Sequence, residues 1–143
     1  MNMPNNTSDN TAASRPAPIG QLILLGAVIA GTAVAIGAFG AHGLKATLAA
    51  TGKAETFETA ARYQMYHGLA ILLLAALADH LPSKSIARTA WLFSIGILFF
   101  SGSLYILALT GMLWLGAVAP LGGLSLMAAW ASLAIAATKK RTT

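Results

Sequence analysis

The sequence predicts an all-α polytopic membrane protein built as a bundle of four transmembrane helices. Three observations lead there. Only 9% of the 143 residues are charged, while 57% are hydrophobic and the mean hydropathy is +0.70. A soluble domain carries about 25% charged residues, so this chain could not cover a water-facing surface. Four apolar runs follow one another; three are close to the ~20 residues that cross about 30 Å of hydrocarbon, and the second, too short alone, places Arg62, Tyr63 and Gln64 in or near the headgroup layer with His67 about a turn deeper. The basic residues stand at the ends of those runs, where they orient helices and meet anionic headgroups.

The same facts exclude other classes. A net charge of +5 and a pI near 10 would suggest nucleic-acid binding in a soluble protein. No basic stripe with interleaved aromatic residues exists here, so no nucleic-acid partner is expected. The absence of cysteine removes disulfides, thiolate metal sites and cysteine nucleophiles.

Residues 1–18 are polar, with Asp9 and Arg15 as their only charges, and read as a disordered tail. Asn5-Asn6-Thr7 matches a glycosylation sequon of a kind that arises by chance. Residues 19–41 form the first span. A signal peptide is the rival reading, but the apolar region is too long and its basic flank is a single Arg15. Gly26, Ala30, Ala33 and Gly37 make a small-residue stripe on which another helix can pack closely. Three glycines in Gly37-Ala38-Phe39-Gly40-Ala41-His42-Gly43-Leu44-Lys45 release that helix, and His42 and Lys45 mark the membrane surface. The spacing does not fit a phosphate-binding loop.

Residues 44–50 are expected to form a short surface helix stopped by Gly52. Glu55 and Glu58 suit the positive first turn of the next helix. That second span is expected over residues 56–81, with Asp79, His80 and Pro82 closing it. Residues 83–89 read as a short basic loop carrying Lys84 and Arg88, and residues 90–109 as the third span, with Trp91 at the interface. Ser101 and Tyr105 place hydroxyls on one face at bilayer depth; a serine hydroxyl can bond its own helix carbonyls. The uncharged turn 110–112 forces a hairpin into the fourth span, residues 113–138, which Pro120-Leu121-Gly122-Gly123 is expected to kink. The transmembrane domain therefore covers residues 19–138, and residues 139–143 are a basic tail. Arg15, Lys84, Arg88, Lys139, Lys140 and Arg141 oppose Lys45, Lys53 and Arg62, which puts both termini in the cytoplasm.

The chemistry-bearing stretch is Arg62-Tyr63-Gln64-Met65-Tyr66-His67-Gly68. Tyr63 and His67 share one helix face, and Glu58, Arg62 and Tyr66 form another row. Together with His42 these residues make the candidate polar site. His42 and His67 are expected to lie near each other on the non-cytoplasmic side, and Arg62 to be buried against the first helix near Gly40 and His42.

Three segments together resemble a known family: Gly37 to Lys45, then Tyr63-Gln64-Met65-Tyr66-His67-Gly68-Leu69-Ala70, and Ser101-Gly102-Ser103-Leu104-Tyr105 followed by Pro120-Leu121-Gly122-Gly123. Their order and spacing are similar to the small membrane proteins grouped as domain of unknown function 423, themselves similar to eukaryotic transmembrane protein 256. The resemblance implies a four-helix bacterial inner-membrane protein and carries over no catalytic role. The expected function is a non-catalytic structural, accessory or assembly component, without cofactor or metal, whose partners are the lipid bilayer, further copies of itself or other membrane proteins. The alternative is a small-solute or ion carrier or channel acting as an oligomer. A third reading, a metal protein or enzyme using His42 and His67, lacks the three or four ligands a metal takes unless Glu55 or Glu58 joins them.

Overall fold

Long apolar runs free of internal charge favour helix once backbone groups must be satisfied locally. The computed structural model, which describes residues 19–139, is helical nearly throughout. The elements are α1 (Ile19–His42), α2 (Lys45–Thr51), α3 (Ala54–Ala76), α4 (Ser83–Thr110), a 3-10 turn (Leu113–Ala117) and α5 (Ala119–Ala137). The expectations for the N-terminal tail, its sequon and the basic residues Lys140 and Arg141 lie outside the described residues.

α1 packs along α3, α3 against α4, and α4 along α5. The core fills the space between α3, α4 and α5 with Ile71, Leu74, Ile86, Phe93, Leu126 and Ala129. The outer pairs approach through glycine. The stripe on α1 works as a packing face: Gly26, Ala30 and Ala33 are buried, and the row runs on to Gly40. A methyl at Gly26 would come 2.9 Å from the Gly68 carbonyl oxygen, and one at Gly68 would come 2.9 Å from the Ala30 nitrogen. The α4–α5 pair repeats the device, with Gly96 against Leu126 and Gly122 against the backbone of Phe100.

α2 is the expected surface helix. Gly52 ends it in the left-handed conformation at φ 62°, where an L side chain is strained. Leu48 anchors it in a small cluster with Phe57 and Ala108, and Thr51 Oγ1 donates to the Ala108 carbonyl at 2.9 Å.

Three boundaries differ from expectation. The second long helix stops at Ala76, and residues 77–80 turn before Pro82. The expected basic loop 83–89 is instead the start of α4, because the extended conformation of Pro82 launches the helix at Ser83. Pro120 does not kink a continuous fourth helix. It lies in the first turn of α5, where its missing N–H costs nothing, and the break falls before it, at the 3-10 turn. Three stretches are long and apolar enough to cross a membrane: α1, α4 and Leu113–Ala137. α3 falls outside that set; its first turns carry Glu55, Glu58 and Arg62.

The glycine contacts predict a graded response. Gly68→Ala and Gly122→Ala, each driven into backbone, should lower stability by about 1–3 kcal/mol. Gly31→Ala meets open space in mid-helix and should be neutral or stabilising by up to about 1 kcal/mol. Thermal unfolding in detergent measures all three.

Candidate functional site: a polar seam through the bundle

Polar side chains along one stretch of α3 point into the bundle and find partners on three other helices. Gln64 is buried. Its amide nitrogen donates to the Ile29 carbonyl at 3.0 Å and to Thr32 Oγ1 at 2.9 Å, both on α1. Its amide oxygen accepts from the Tyr105 hydroxyl of α4 at 2.9 Å. One carboxamide thus joins three helices, with both amide protons and one oxygen lone pair in use.

His67, one turn on, is also buried and faces α5. Its Nδ1 lies 2.7 Å from the Tyr63 carbonyl, which can only accept, so Nδ1 carries the proton. Its Nε2 lies 3.3 Å from the indole nitrogen of Trp130, which can only donate. The two contacts together select the neutral imidazole with a single tautomer. The rings of Tyr63, Phe93 and Trp130 surround it at centroid distances of 5.9, 5.5 and 6.2 Å. Tyr63 is itself partly exposed and packs on Phe100 at 4.7 Å.

A second polar clasp joins α4 to α5. Thr89 Oγ1 and Ser132 Oγ lie 2.8 Å apart, Arg88 Nε donates to Ser132 Oγ at 3.1 Å, and Ser125 Oγ donates to the Leu92 carbonyl at 2.8 Å.

The candidate residues therefore divide. Gln64, His67 and the Tyr63 carbonyl belong to the seam. Glu58, Arg62 and Tyr66 form their expected row, but it faces outward. Arg62 is 51% exposed and Glu58 70%, with a loose ion pair of 3.9 Å between them. The expected burial of Arg62 against α1 is not found, because Phe57 occupies the groove at Gly40. His42 is exposed and takes no part. The two histidines do not meet either. Gly68 sits against Ala30, so His67 lies near the middle of α1, about 18 Å along the helix from His42. Among the described residues no group of three His, Asp or Glu could hold a metal.

Sequence reasoning missed Thr32 and Trp130 as partners, and left Tyr105 without one. The available signals were a tryptophan away from the headgroup layer in α5 and a tyrosine hydroxyl at bilayer depth in α4. Ser101, one turn before Tyr105, is buried with no hydrogen-bond partner for its Oγ, whereas Ser94 and Ser103 bond their own helix carbonyls as expected of such residues.

Chemically, the seam is a set of stitches between helices. Interhelical hydrogen bonds of this kind contribute on the order of 0.6–2 kcal/mol each in membrane bundles.

Residues 36–123 match the model of a family described as protein of unknown function (DUF423). The chain is 43% identical over 118 residues to the UPF0382 membrane protein YwdK of Bacillus subtilis, covering 82% of this chain and 95% of that protein. It is 44% identical to a UPF0382 membrane protein of Staphylococcus haemolyticus, covering 82% of this chain and 94% of that relative. It is 45% identical to one of Staphylococcus saprophyticus, covering 82% and 96%. No solved structure matches the chain.

Two measurements separate the buried seam from the exposed row. In a double-mutant cycle, Gln64→Leu and Tyr105→Phe should couple by about 1 kcal/mol, since each removes the other's partner. Arg62→Ala should stay within about 0.5 kcal/mol of the parent in the same unfolding assay, because an exposed, loose ion pair contributes little.

Proposed function

We propose that this chain, which belongs to the DUF423 family of membrane proteins, is a non-catalytic, four-span structural or assembly component of a bacterial inner membrane. The observation that carries the reading is the seam itself. The buried groups Gln64, His67, Thr89 and Ser132, with the half-buried Tyr105, each make a hydrogen bond to a neighbouring helix. That is what a rigid bundle needs from polar residues in hydrocarbon.

The fourth span in this reading is α3. Its 23 residues lie lengthwise between two helices that are themselves long and apolar enough to cross, and its polar interior groups are satisfied by protein. Its charged residues occupy the first turns, at headgroup level, while Leu69 and Leu73 face outward deeper in the bilayer. The six-to-three basic count supports cytoplasmic termini. The broad apolar outer faces, with Leu24, Val28 and Val34 on α1 and Leu121, Leu124 and Met127 on α5, suit lipid, another copy or another membrane protein.

One observation favours the carrier alternative: an ionisable residue, His67, in mid-bundle, since such residues often mark ion or proton paths. Reconstitution decides between the two. Proteoliposomes loaded with a pH-sensitive dye should show no proton flux above empty vesicles; a flux abolished by His67→Gln would overturn the structural reading. A C-terminal alkaline phosphatase fusion should be silent and the matching fluorescent fusion bright, as four spans with cytoplasmic ends require.

A further inference from the structure

The end of the bundle where α1 hands over to α3 holds a cleft of about 400 Å³, within the size range of small-ligand sites. Its walls are apolar and made of small residues: Gly37 and Ala41 of α1, Ala49 of α2, Ala61 of α3, with Leu48 and Phe57 closing the floor. Two charged residues of opposite sign also line it, Lys45 at the start of α2 and Glu58 on α3. They are not paired with each other. Glu58 Oε1 pairs with Arg62 at 3.9 Å, which leaves the other carboxylate oxygen and the Lys45 ammonium without an ionic partner among the described residues.

We infer that this cleft is a phospholipid site that takes an ethanolamine-type headgroup, with an acyl segment against the glycine- and alanine-lined wall, the phosphodiester at Lys45 and the ammonium at Glu58. The surroundings select the occupant. α2 carries its buried Leu48 inward and leaves Lys45 and Thr47 exposed, as a helix at the headgroup boundary does, so the cleft opens where acyl chains meet headgroups. A groove there fills with lipid. A headgroup carrying both a phosphate and a primary ammonium offers partners to the Lys45 ammonium and to the Glu58 carboxylate oxygen that Arg62 does not take; a glycerol headgroup gives that oxygen no cation, and a choline headgroup offers it no N–H donor. Arg62, half-exposed and loosely paired with Glu58 at 3.9 Å, can keep that contact or add a second one to the phosphate.

The site goes beyond the structural role proposed above and is tested separately. The purified full chain is delipidated, mixed with equal amounts of phosphatidylethanolamine, phosphatidylglycerol and phosphatidylcholine, and weighed by native mass spectrometry. Retention of one phosphatidylethanolamine per chain, favoured by about tenfold over the other two, is expected from one charge-assisted hydrogen bond. Glu58→Gln should abolish the preference while keeping lipid, and Lys45→Ala should weaken all three lipids alike. Ala41→Leu with Ala49→Leu, both at exposed positions, should exclude lipid by filling the wall. The proposal is overturned if phosphatidylglycerol is preferred, if Glu58→Gln leaves the preference intact, or if the leucine variants retain lipid as the parent does. Unfolding curves for each variant identify any that fails to fold, and Glu58→Gln alone, a surface change, still decides the headgroup.

Discussion

Gly68 lies so close to α1 that an added methyl would sit 2.9 Å from the Ala30 nitrogen, and the polar interior depends on that approach. Gln64 is one turn away on the same side of α3. Its side chain reaches the Ile29 carbonyl and Thr32 Oγ1 because the two backbones are already drawn together at Gly26 and Gly68. With larger residues at the crossing, the carboxamide would stop short of α1, and a buried amide with unused donors costs about 1–3 kcal/mol. Small residues and polar residues are thus one device: the first sets the distance that the second exploits.

Lipid makes the device necessary. Acyl chains are as apolar as leucine, so burying leucine between helices gains little over leaving it in the bilayer, and close van der Waals packing with hydrogen bonds must hold helices together. The outer pairs follow this logic, with Gly26 and Gly68 between α1 and α3, and Gly96, Gly122 and the Thr89–Ser132 clasp between α4 and α5. The central core differs. Large side chains interdigitate there, Ile71, Leu74, Ile86 and Phe93 among them, and polar links are fewer but longer in reach, such as Tyr105 to Gln64.

Much of this was legible in the sequence, and the reasons for the rest are specific. The small-residue stripe, the Gly52 stop and the hairpin at Gly111, which adopts φ 73°, follow from local chemistry that acts over a few residues. Boundaries inside apolar sequence carry weaker signals. Pro82 reads equally well as the end of one helix and the start of the next, and the structure uses it as a start. Pro120 likewise begins a helix where mid-helix placement would have kinked one. The apolar half of the second span is too short to cross alone, which drew Arg62, Tyr63 and Gln64 toward the headgroups and put His67 only about a turn deeper, on the same side as His42. In the structure Gly68 packs on Ala30, so His67 lies level with the middle of α1 while Arg62 stays in the exposed row, and the two histidines separate. Periodicity correctly grouped Glu58, Arg62 and Tyr66 on one face, but a row of spacings cannot say which face is inward; Phe57, one residue aside, holds the inner position at Gly40.

His67 shows how an ionisable group can be held in the middle of such a bundle. An imidazole with one nitrogen facing a carbonyl and the other facing an indole N–H has its single proton assigned by its neighbours. Adding a second proton would set two donors, Nε2–H and the Trp130 N–H, against each other. The ring could then charge only if α5 moved Trp130 away. The Trp130 contact, at 3.3 Å, is the longer of the two, whereas the Tyr63 contact, at 2.7 Å, lies within a single helix and does not depend on how helices pack. Any motion that exposes His67 therefore has to begin between α3 and α5. The Thr89–Ser132 clasp resists it from the neighbouring face, since Ser132 follows Trp130 by two residues on α5. The neutrality of the buried histidine and the docking of the last helix are in this way the same structural state.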